Sequence, residues 1–242
     1  MSSASAGRAS ASTSASAARP PAIAGCPVPE AWAAAVIFGY LLGSVPVGLW
    51  IGRLVSDADL RSGGSGKIGT TNAYRKLGLR WAVVIFLLDV GKGVLPVAVM
   101  MIAFDSPTAE VLAGLATAIG HIFPLFAGFR GGRAAACGWG SLLMLTPLAG
   151  VVGVGVGLIV LGVTRIMSLS VLLGVAVCLT AQGLFVAVGA EPEAYYGFAV
   201  AGWFIVLFAH RDNIARLASG TERVLGRSGG APRNGADTEG DA

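Results

Sequence analysis

Long apolar runs separated by short polar loops dominate the chain. The runs cover approximately Ala31–Gly52, Trp81–Phe104, Val111–Phe129, Ala134–Val163, Ile166–Gly189 and Tyr195–Ala209. Runs of this length with few charges are typical of helices that cross a lipid bilayer. The chain is 55% hydrophobic and only 12% charged, whereas soluble domains carry roughly 25% charged residues. The pattern therefore predicts an all-α, polytopic membrane helix bundle.

The fourth run is too long to be one straight span. As a single helix it would rise roughly 45 Å, against a hydrocarbon core of about 30 Å. Pro147 lies near its middle and predicts a break into two shorter helices. With this break, the chain as a whole is predicted to have seven transmembrane helices.

The distribution of charged residues predicts the orientation of the bundle. Basic residues gather in alternate loops and in the C-terminal tail: Arg53, Arg61, Lys67, Arg75, Lys76, Arg80, Arg130, Arg133, Arg165, Arg211, Arg216, Arg223 and Arg227. Acidic residues occupy the opposite loops: Asp105, Glu110, Glu191 and Glu193. Because cytoplasmic loops carry the excess of Lys and Arg, seven spans place the N-terminus outside and the C-terminus in the cytoplasm.

The ends of the chain are predicted to lie outside the membrane domain. Residues 1–30 form a Ser/Ala-rich tail that is predicted to be disordered, and residues 226–242 are predicted to be a second disordered tail. The membrane-embedded domain then covers residues 31–225. The three cysteines, Cys26, Cys137 and Cys178, follow no spacing typical of a disulfide framework or a zinc site, and no metal site is predicted.

A glycine-rich segment, residues 63–72, lies between the first two apolar runs and is closed by Arg75. Glycines let backbone N–H groups crowd around an anion, and a nearby Arg supplies a bidentate charge. The segment therefore predicts that a phosphorylated substrate binds at the membrane surface. A flexible Gly/Ser connector is the alternative interpretation.

Two phosphate-binding motifs of soluble proteins do not fit this segment. Its glycine spacing matches the dinucleotide fingerprint, but that motif requires a βαβ unit, and the flanks here are apolar helices. A Walker-type loop requires Ser or Thr after its lysine, whereas Ile68 follows Lys67.

Further polar residues gather on the predicted cytoplasmic side. Arg130 and Arg133 enclose a Gly-Gly pair and form a second candidate anion cradle, with membrane anchoring as the alternative. Asp89 and Lys92 can meet on one helix face, where they either neutralise each other or line a polar cavity.

In their order along the chain, these motifs resemble those of a known family. They are Gly43-Ser44-Val45-Pro46, Gly64-Ser65-Gly66-x-x-Gly69-x-Thr71-Asn72-x-x-Arg75, Asp89-x-x-Lys92-Gly93, Gly120-His121-x-Phe123-Pro124, Phe129-Arg130-Gly131-Gly132-Arg133 and His210-x-x-Asn213-Ile214-x-Arg216-Leu217-x-x-Gly220-x-Glu222. From about Phe38 to Glu222, the chain looks like the bacterial membrane-embedded acyl-phosphate:glycerol-3-phosphate acyltransferases. The resemblance implies transfer of a fatty acyl group from acyl phosphate to the sn-1 hydroxyl of glycerol 3-phosphate, giving lysophosphatidic acid and inorganic phosphate.

The resemblance also implies roles for the residues that match the family's motifs. The expected catalytic residues are His210, Ser168 and Asn213, with His210 and Ser168 as a hydrogen-bonded pair. The expected substrate-binding residues are Ser65, Gly66, Asn72, Arg75, Lys92, Arg130, Gly131, Gly132 and Arg133. Glu222 is expected to be structural. Whether His210 acts as a base or only orients the nucleophile stays open.

The same resemblance defines the expected partners and location. The partners are glycerol 3-phosphate, acyl phosphate and membrane lipids, with no nucleic acid. No cofactor or metal is expected, because an acyl phosphate is already an activated mixed anhydride. The expected location is the bacterial inner membrane, with the active site on the cytoplasmic side, and the oligomeric state stays open.

The chain departs from the family's pattern at a few positions. The family usually has Asn at Lys67, Lys at Arg130 and Arg133, and Gly at Ala134. A glycine at the last position suggests a left-handed φ or a close backbone approach. Two alternative functions stay open: a transporter of a phosphorylated or anionic solute, and an inactive, lipid-interacting paralogue. The His-x-x-x-x-Asp motif of soluble-type glycerolipid acyltransferases is absent.

Overall fold

The computed structural model describes residues 28–57 and 59–226, and the regular structure in these ranges is helical. The helices are α1 (Val28–Gly43), α2 (Val47–Ser56), α3 (Thr70–Leu77), α4 (Leu79–Ala103), α5 (Pro107–Ile122), α6 (Ala135–Leu145), α7 (Pro147–Thr164), α8 (Met167–Ala187), α9 (Glu193–Ala209) and α10 (Arg211–Ala218). The tails predicted at residues 1–30 and 226–242 lie outside the described residues, except that α1 already begins at Val28 and Gly226 lies in a turn.

The class predicted from the sequence, an all-α membrane bundle, is confirmed. Within the described residues, five helical stretches are long and apolar enough to cross a membrane: Pro29–Ser56, Leu79–Ala103, Pro107–Ala127, Pro147–Thr164 and Met167–Ala187. Two further apolar helices, α6 and α9, are shorter.

The break predicted at Pro147 is also confirmed. Helix α6 ends at Leu145, and Pro147 begins α7 in the first turn, where its missing N–H group has no helical partner to lose. A second break, between α1 and α2, is not anticipated by the apolar pattern. Pro46 causes it, because proline has no N–H group and its ring clashes with the preceding helical turn.

Helix α5 lies at the centre of the bundle, in contact with α1, α4, α6 and α9. The contact with α1 is close because Gly39 and Gly43 face the backbone carbonyls of Ala113 and Thr117 across the interface. A Cβ atom at either glycine would overlap these carbonyls. Small residues at helix contacts are the usual way in which membrane helices approach each other closely.

Four chain segments meet at one end of the bundle. They are the glycine-rich segment before α3, the loop before α6, the start of α8 and the junction of α9 with α10, and residues from all four line one cavity. The fold therefore gathers motifs that are separated by many residues in the sequence.

Candidate active site

A cavity of about 440 Å³ penetrates the bundle from this end. Its mouth is lined by polar residues from the four segments, among them Ser65, Thr70, Arg133, Ser168 and His210. Its interior is lined mainly by apolar residues from the middle of the helices, among them Leu115, Leu142, Val154, Val175, Cys178 and Phe198. We call it the main cavity. A polar mouth with an apolar interior suits an amphiphile that has an anionic head and a hydrocarbon chain.

Asn72 organises the glycine-rich segment at the mouth. Its Nδ2 donates to the carbonyl oxygens of Leu60 (2.6 Å), Gly63 (3.3 Å) and Lys67 (2.9 Å), and its Oδ1 accepts from the Ser65 N–H group (3.1 Å). The amide of Asn72 is therefore bonded to the chain around it, while Asn72 also lines the main cavity. Asn72 fixes the position of Ser65.

The loop before α6 is tied to the end of α5. The N–H groups of Gly131 and Gly132 donate to the carbonyl oxygens of Ile122 (3.1 Å) and His121 (3.0 Å). The imidazole of His121 also lies so close to Gly132 that a Cβ atom there would overlap Nε2. These contacts hold Arg133, the next residue, at the mouth of the main cavity.

Ala134 has left-handed backbone geometry, with a φ of 59°. The glycine that the family usually has at this position suggested such a φ. This conformation costs a non-glycine residue roughly 1–2 kcal/mol. Its methyl group is buried in a cluster with Ala118, Ile122, Cys137 and Ala209. Burial of one methyl group contributes about 0.8 kcal/mol. The chain therefore tolerates alanine here because packing offsets part of the backbone strain.

Several buried polar groups at the main cavity lack partners. Within the described residues, no hydrogen-bond partner is found for Thr70 Oγ1, Arg133 Nε, Trp139 Nε1 or Ser168 Oγ, and all four residues line this cavity. Buried polar atoms are normally hydrogen-bonded, so a cluster of unsatisfied atoms indicates a ligand site. The pKa of Arg133 lies below its usual value because the guanidinium group is buried, and because Arg216 is nearby.

The hydrogen bond expected between His210 and Ser168 is not formed. His210 Nδ1 lies 2.9 Å from the carbonyl oxygen of Val206, while Ser168 Oγ has no partner among the described residues. Because a carbonyl oxygen only accepts, Nδ1 carries the hydrogen and Nε2 is left as an acceptor. Burial lowers the pKa of His210, which follows the last residue of α9, to about 4, so the ring is neutral at pH 7.

Asn213 and Arg216 are joined through Glu222. Asn213 Nδ2 donates to Glu222 Oε1 (2.7 Å), and Arg216 Nε donates to Glu222 Oε2 (2.8 Å). This pairing holds the segment after α10 against the helix. Asn213 Oδ1 is buried and has no partner among the residues that the structure describes.

The other cations predicted to bind substrate lie in different surroundings. Lys92 Nζ is 2.9 Å from Asp89 Oδ1 and donates to the Val45 carbonyl at the break between α1 and α2 (3.0 Å). It lines neither cavity described here, whereas Asp89 lines the main one. Arg75 also lies outside the cavity lining, and partial desolvation, followed by the charge of Arg223, lowers its pKa.

The remaining predicted residues line a second cavity of about 260 Å³, which adjoins the first. Gly66, Arg130, Gly131 and Gly132 belong to it, and Lys67 lines both cavities. The structure therefore brings Ser65, Asn72, Arg133, Ser168 and His210 together, and it separates Arg130 from them. Two residues with unpartnered polar atoms at the main cavity were not predicted from the sequence. Trp139 lies within an apolar run, where nothing marks it as functional. Thr70 belongs to the glycine-rich segment, which could have indicated it.

Comparison with known proteins adds independent information. Residues 33–220 match the family described as glycerol-3-phosphate acyltransferase. The chain is 41% identical over 195 residues to the glycerol-3-phosphate acyltransferase of Anaeromyxobacter sp. (strain Fw109-5), covering 78% of this chain and 94% of the relative. It is also 41% identical over 194 residues to that of Synechococcus sp. (strain CC9902), covering 79% and 94%.

Solved structures agree with these relatives. The crystal structure of PlsY (YgiH), an integral membrane glycerol 3-phosphate acyltransferase, in its glycerol 3-phosphate form matches with a TM-score of 0.72 and 34% identity, over 79% of this chain and 94% of PlsY. Its lysophosphatidic acid form matches with a TM-score of 0.70 over the same shares. The chain therefore belongs to the glycerol-3-phosphate acyltransferase family.

Proposed function

We propose that this protein transfers an acyl group from acyl phosphate to the sn-1 hydroxyl of glycerol 3-phosphate, producing lysophosphatidic acid for phospholipid synthesis. The observation that carries the proposal is the main cavity, in which unpartnered polar groups, Arg133 among them, lie at the mouth of an apolar pocket. The acyl chain would fill the apolar interior, and the two phosphates would bind at the mouth. Family membership and the PlsY forms with glycerol 3-phosphate and lysophosphatidic acid support this assignment.

The proposed reaction needs positioning more than covalent catalysis. The sn-1 hydroxyl oxygen attacks the acyl carbon, its bond to that carbon forms, and the bond from the carbon to the phosphate oxygen breaks. Arg133 and the glycine-rich segment hold the phosphate groups of the two reactants. The reaction between the bound reactants is then effectively unimolecular. Developing negative charge is stabilised by donors that are already in place.

His210 is proposed to orient the nucleophile rather than to take its proton permanently. Its Nε2 is available to accept a hydrogen bond from the attacking hydroxyl group. With a pKa of about 4, however, the imidazole is a weak base. A phosphate group has a second pKa of about 6, so the departing phosphate is the better proton acceptor. Asn72, Lys92 and Glu222 are proposed to position the site through the contacts described above.

The choice of acyl donor tests the proposed function. Purified protein with radiolabelled glycerol 3-phosphate and palmitoyl phosphate is expected to form lysophosphatidic acid, whereas palmitoyl-CoA is expected to give little product. Comparable rates with both donors would contradict the assignment of acyl phosphate. Folded protein that forms no product with either donor would instead favour transport or a non-catalytic role.

The proposed location is the bacterial inner membrane. The proposed topology has seven spans, with the N-terminus outside the cell and the main cavity open to the cytoplasm. It counts the five long stretches and the shorter α6 and α9 as crossings of one membrane domain, residues 31–225. Helix α6 rises only roughly 17 Å. Its preceding loop would therefore lie below the membrane surface, where irregular backbone is tolerated if it is buried in protein.

Reporter fusions test this topology. Fusions after Arg133, Arg165 and Arg216 are expected to report a cytoplasmic location, and fusions near Ser106 and Glu193 an external one, because the basic loops then share one side. A fusion at Glu193 that reports from the cytoplasm would rule out the seven-span arrangement.

A further inference from the structure

The second cavity carries a group of positive charges, most of them outside the main cavity. Lys67, Arg130 and Arg211 line it, together with the backbone of Gly66, Gly131 and Gly132. We call it the basic cavity. It lies beside the main cavity and meets it at Lys67, the residue that lines both.

The cations of the basic cavity are poorly neutralised by the protein. Asp212 Oδ1 lies 4.0 Å from Arg211 Nε, and both side chains are exposed. The pKa of Lys67 is lowered by burial and further by the charges of Arg133, Arg211 and Arg130, with Asp212 opposing. Among the residues that the structure describes, no ion pair joins Lys67 or Arg130 to a carboxylate. An anion bound here would relieve the mutual repulsion of these cations.

The wall of the basic cavity is also aromatic. Phe123, Phe129 and Phe208 line it, and all three side chains are exposed. The rings of Phe123 and Phe208 are 6.1 Å apart, and the Arg211 guanidinium group lies 4.6 Å from the Phe208 ring. Exposed aromatic rings beside basic groups are typical of the membrane–water interface. A free phosphate ion would use the cations but would leave the aromatic wall without a partner.

We propose that the basic cavity binds the headgroup phosphate of an anionic phospholipid, with the acyl chains of the lipid against Phe123, Phe129 and Phe208. Basic pockets between membrane helices commonly hold anionic headgroups, and each Lys or Arg near the membrane adds to the attraction. The lipid occupies a site distinct from the main cavity, so its binding does not depend on acyl transfer. Lys67, present where the family usually has asparagine, supplies one of the three cations.

Arg211→Gln and Arg80→Gln form a matched pair for testing this site. Both arginines are exposed, both contact an aromatic ring, and only Arg211 lines the basic cavity. The full-length protein is purified in non-ionic detergent and titrated with phosphatidylglycerol, and bound lipid is counted by native mass spectrometry. The parent protein and Arg80→Gln are expected to retain phosphatidylglycerol, and Arg211→Gln is expected to bind it at least tenfold more weakly. Arg211→Lys is expected to restore most of the affinity.

Each other outcome overturns part of the proposal. Equal weakening by Arg211→Gln and Arg80→Gln would show only a general attraction of the basic surface for anionic lipid. Equal retention of phosphatidylcholine would remove the role of the headgroup charge. Displacement of the lipid by millimolar inorganic phosphate would identify a free-phosphate site instead. Acyl transfer, measured on the same preparations, reports separately on the main cavity.

Discussion

Replacing Arg133 with alanine is expected to lower kcat/KM by roughly ten- to hundredfold, while leaving the thermal stability of the protein unchanged or slightly higher. Hydrogen bonds to charged groups contribute about 1.5–3 kcal/mol, and each 1.4 kcal/mol is about one decade in rate. In the absence of substrate, the Arg133 Nε atom is buried without a partner among the described residues. Removing this buried, unpaired N–H group relieves its desolvation and the repulsion between the guanidinium groups of Arg133 and Arg216, which offsets the loss of the attraction to Glu222.

Two variants make the Arg133 experiment specific. Arg133→Lys keeps the charge and is expected to retain more activity than Arg133→Ala. Arg80→Ala removes a basic residue outside both cavities and is expected to leave the rate unchanged. Activity and unfolding midpoint are measured on the same detergent-purified samples. If Arg133→Ala unfolded at a lower temperature and kept its activity, Arg133 would be a structural residue and not a ligand for phosphate.

Replacing Gly93 with alanine is expected to destabilise the bundle by about 2–3 kcal/mol, which is at the upper end of the range for overpacking. Gly93 lies where α4 crosses α6, and a Cβ atom there would overlap the backbone carbonyl of Cys137. A backbone carbonyl cannot rotate away as a side chain can. The two helices would have to separate, and the hydrogen bond from Ser141 Oγ to the Gly93 carbonyl (3.1 Å) would be strained.

Gly91 provides the control on the same helix. A Cβ atom at Gly91 would have no heavy atom within 4 Å. Alanine favours a helix over glycine by roughly 0.5–1 kcal/mol, so Gly91→Ala is expected to be neutral or stabilising. The comparison is made by the thermal unfolding midpoint in detergent. A loss of stability in both variants would point to a general intolerance of α4 to larger residues, and the close crossing with α6 would lose its significance.

Most of the fold was predictable because the bilayer imposes long apolar helices. Run lengths and Pro147 predicted the break between α6 and α7, and the structure confirms it. The break at Pro46 was missed because the first run, unlike the fourth, has the length of a single span, so its length did not call for a break. At this break, the Val45 carbonyl oxygen accepts a hydrogen bond from Lys92 Nζ, a residue of α4 that is distant in the sequence. No local pattern reveals such a long-range hydrogen bond.

The candidate site was predictable only at the level of motifs. The glycine-rich segment and Arg133 do meet His210 and Ser168 at the main cavity. The motif order could not reveal that Arg130 faces a different cavity, since neighbouring residues of one loop can point in opposite directions. Nor could it show that Asn72 bonds to its own segment, because an asparagine that shapes a loop and one that binds a ligand look alike in a sequence.

The hydrogen bonds of Asn72 have a consequence for how substrate binds. They join three points of the glycine-rich segment to one another and to Leu60, just before it, without any ligand. The conformational entropy of this segment is therefore lost during folding and not at each binding event. Because this preorganised segment need not be ordered on binding, less of the interaction energy with a phosphate is lost, and more of it contributes to affinity. If the segment binds the substrate phosphate as proposed, association is expected to need no slow ordering step, and its rate is expected to depend on diffusion of the anion to the membrane surface and on attraction to the surrounding basic residues.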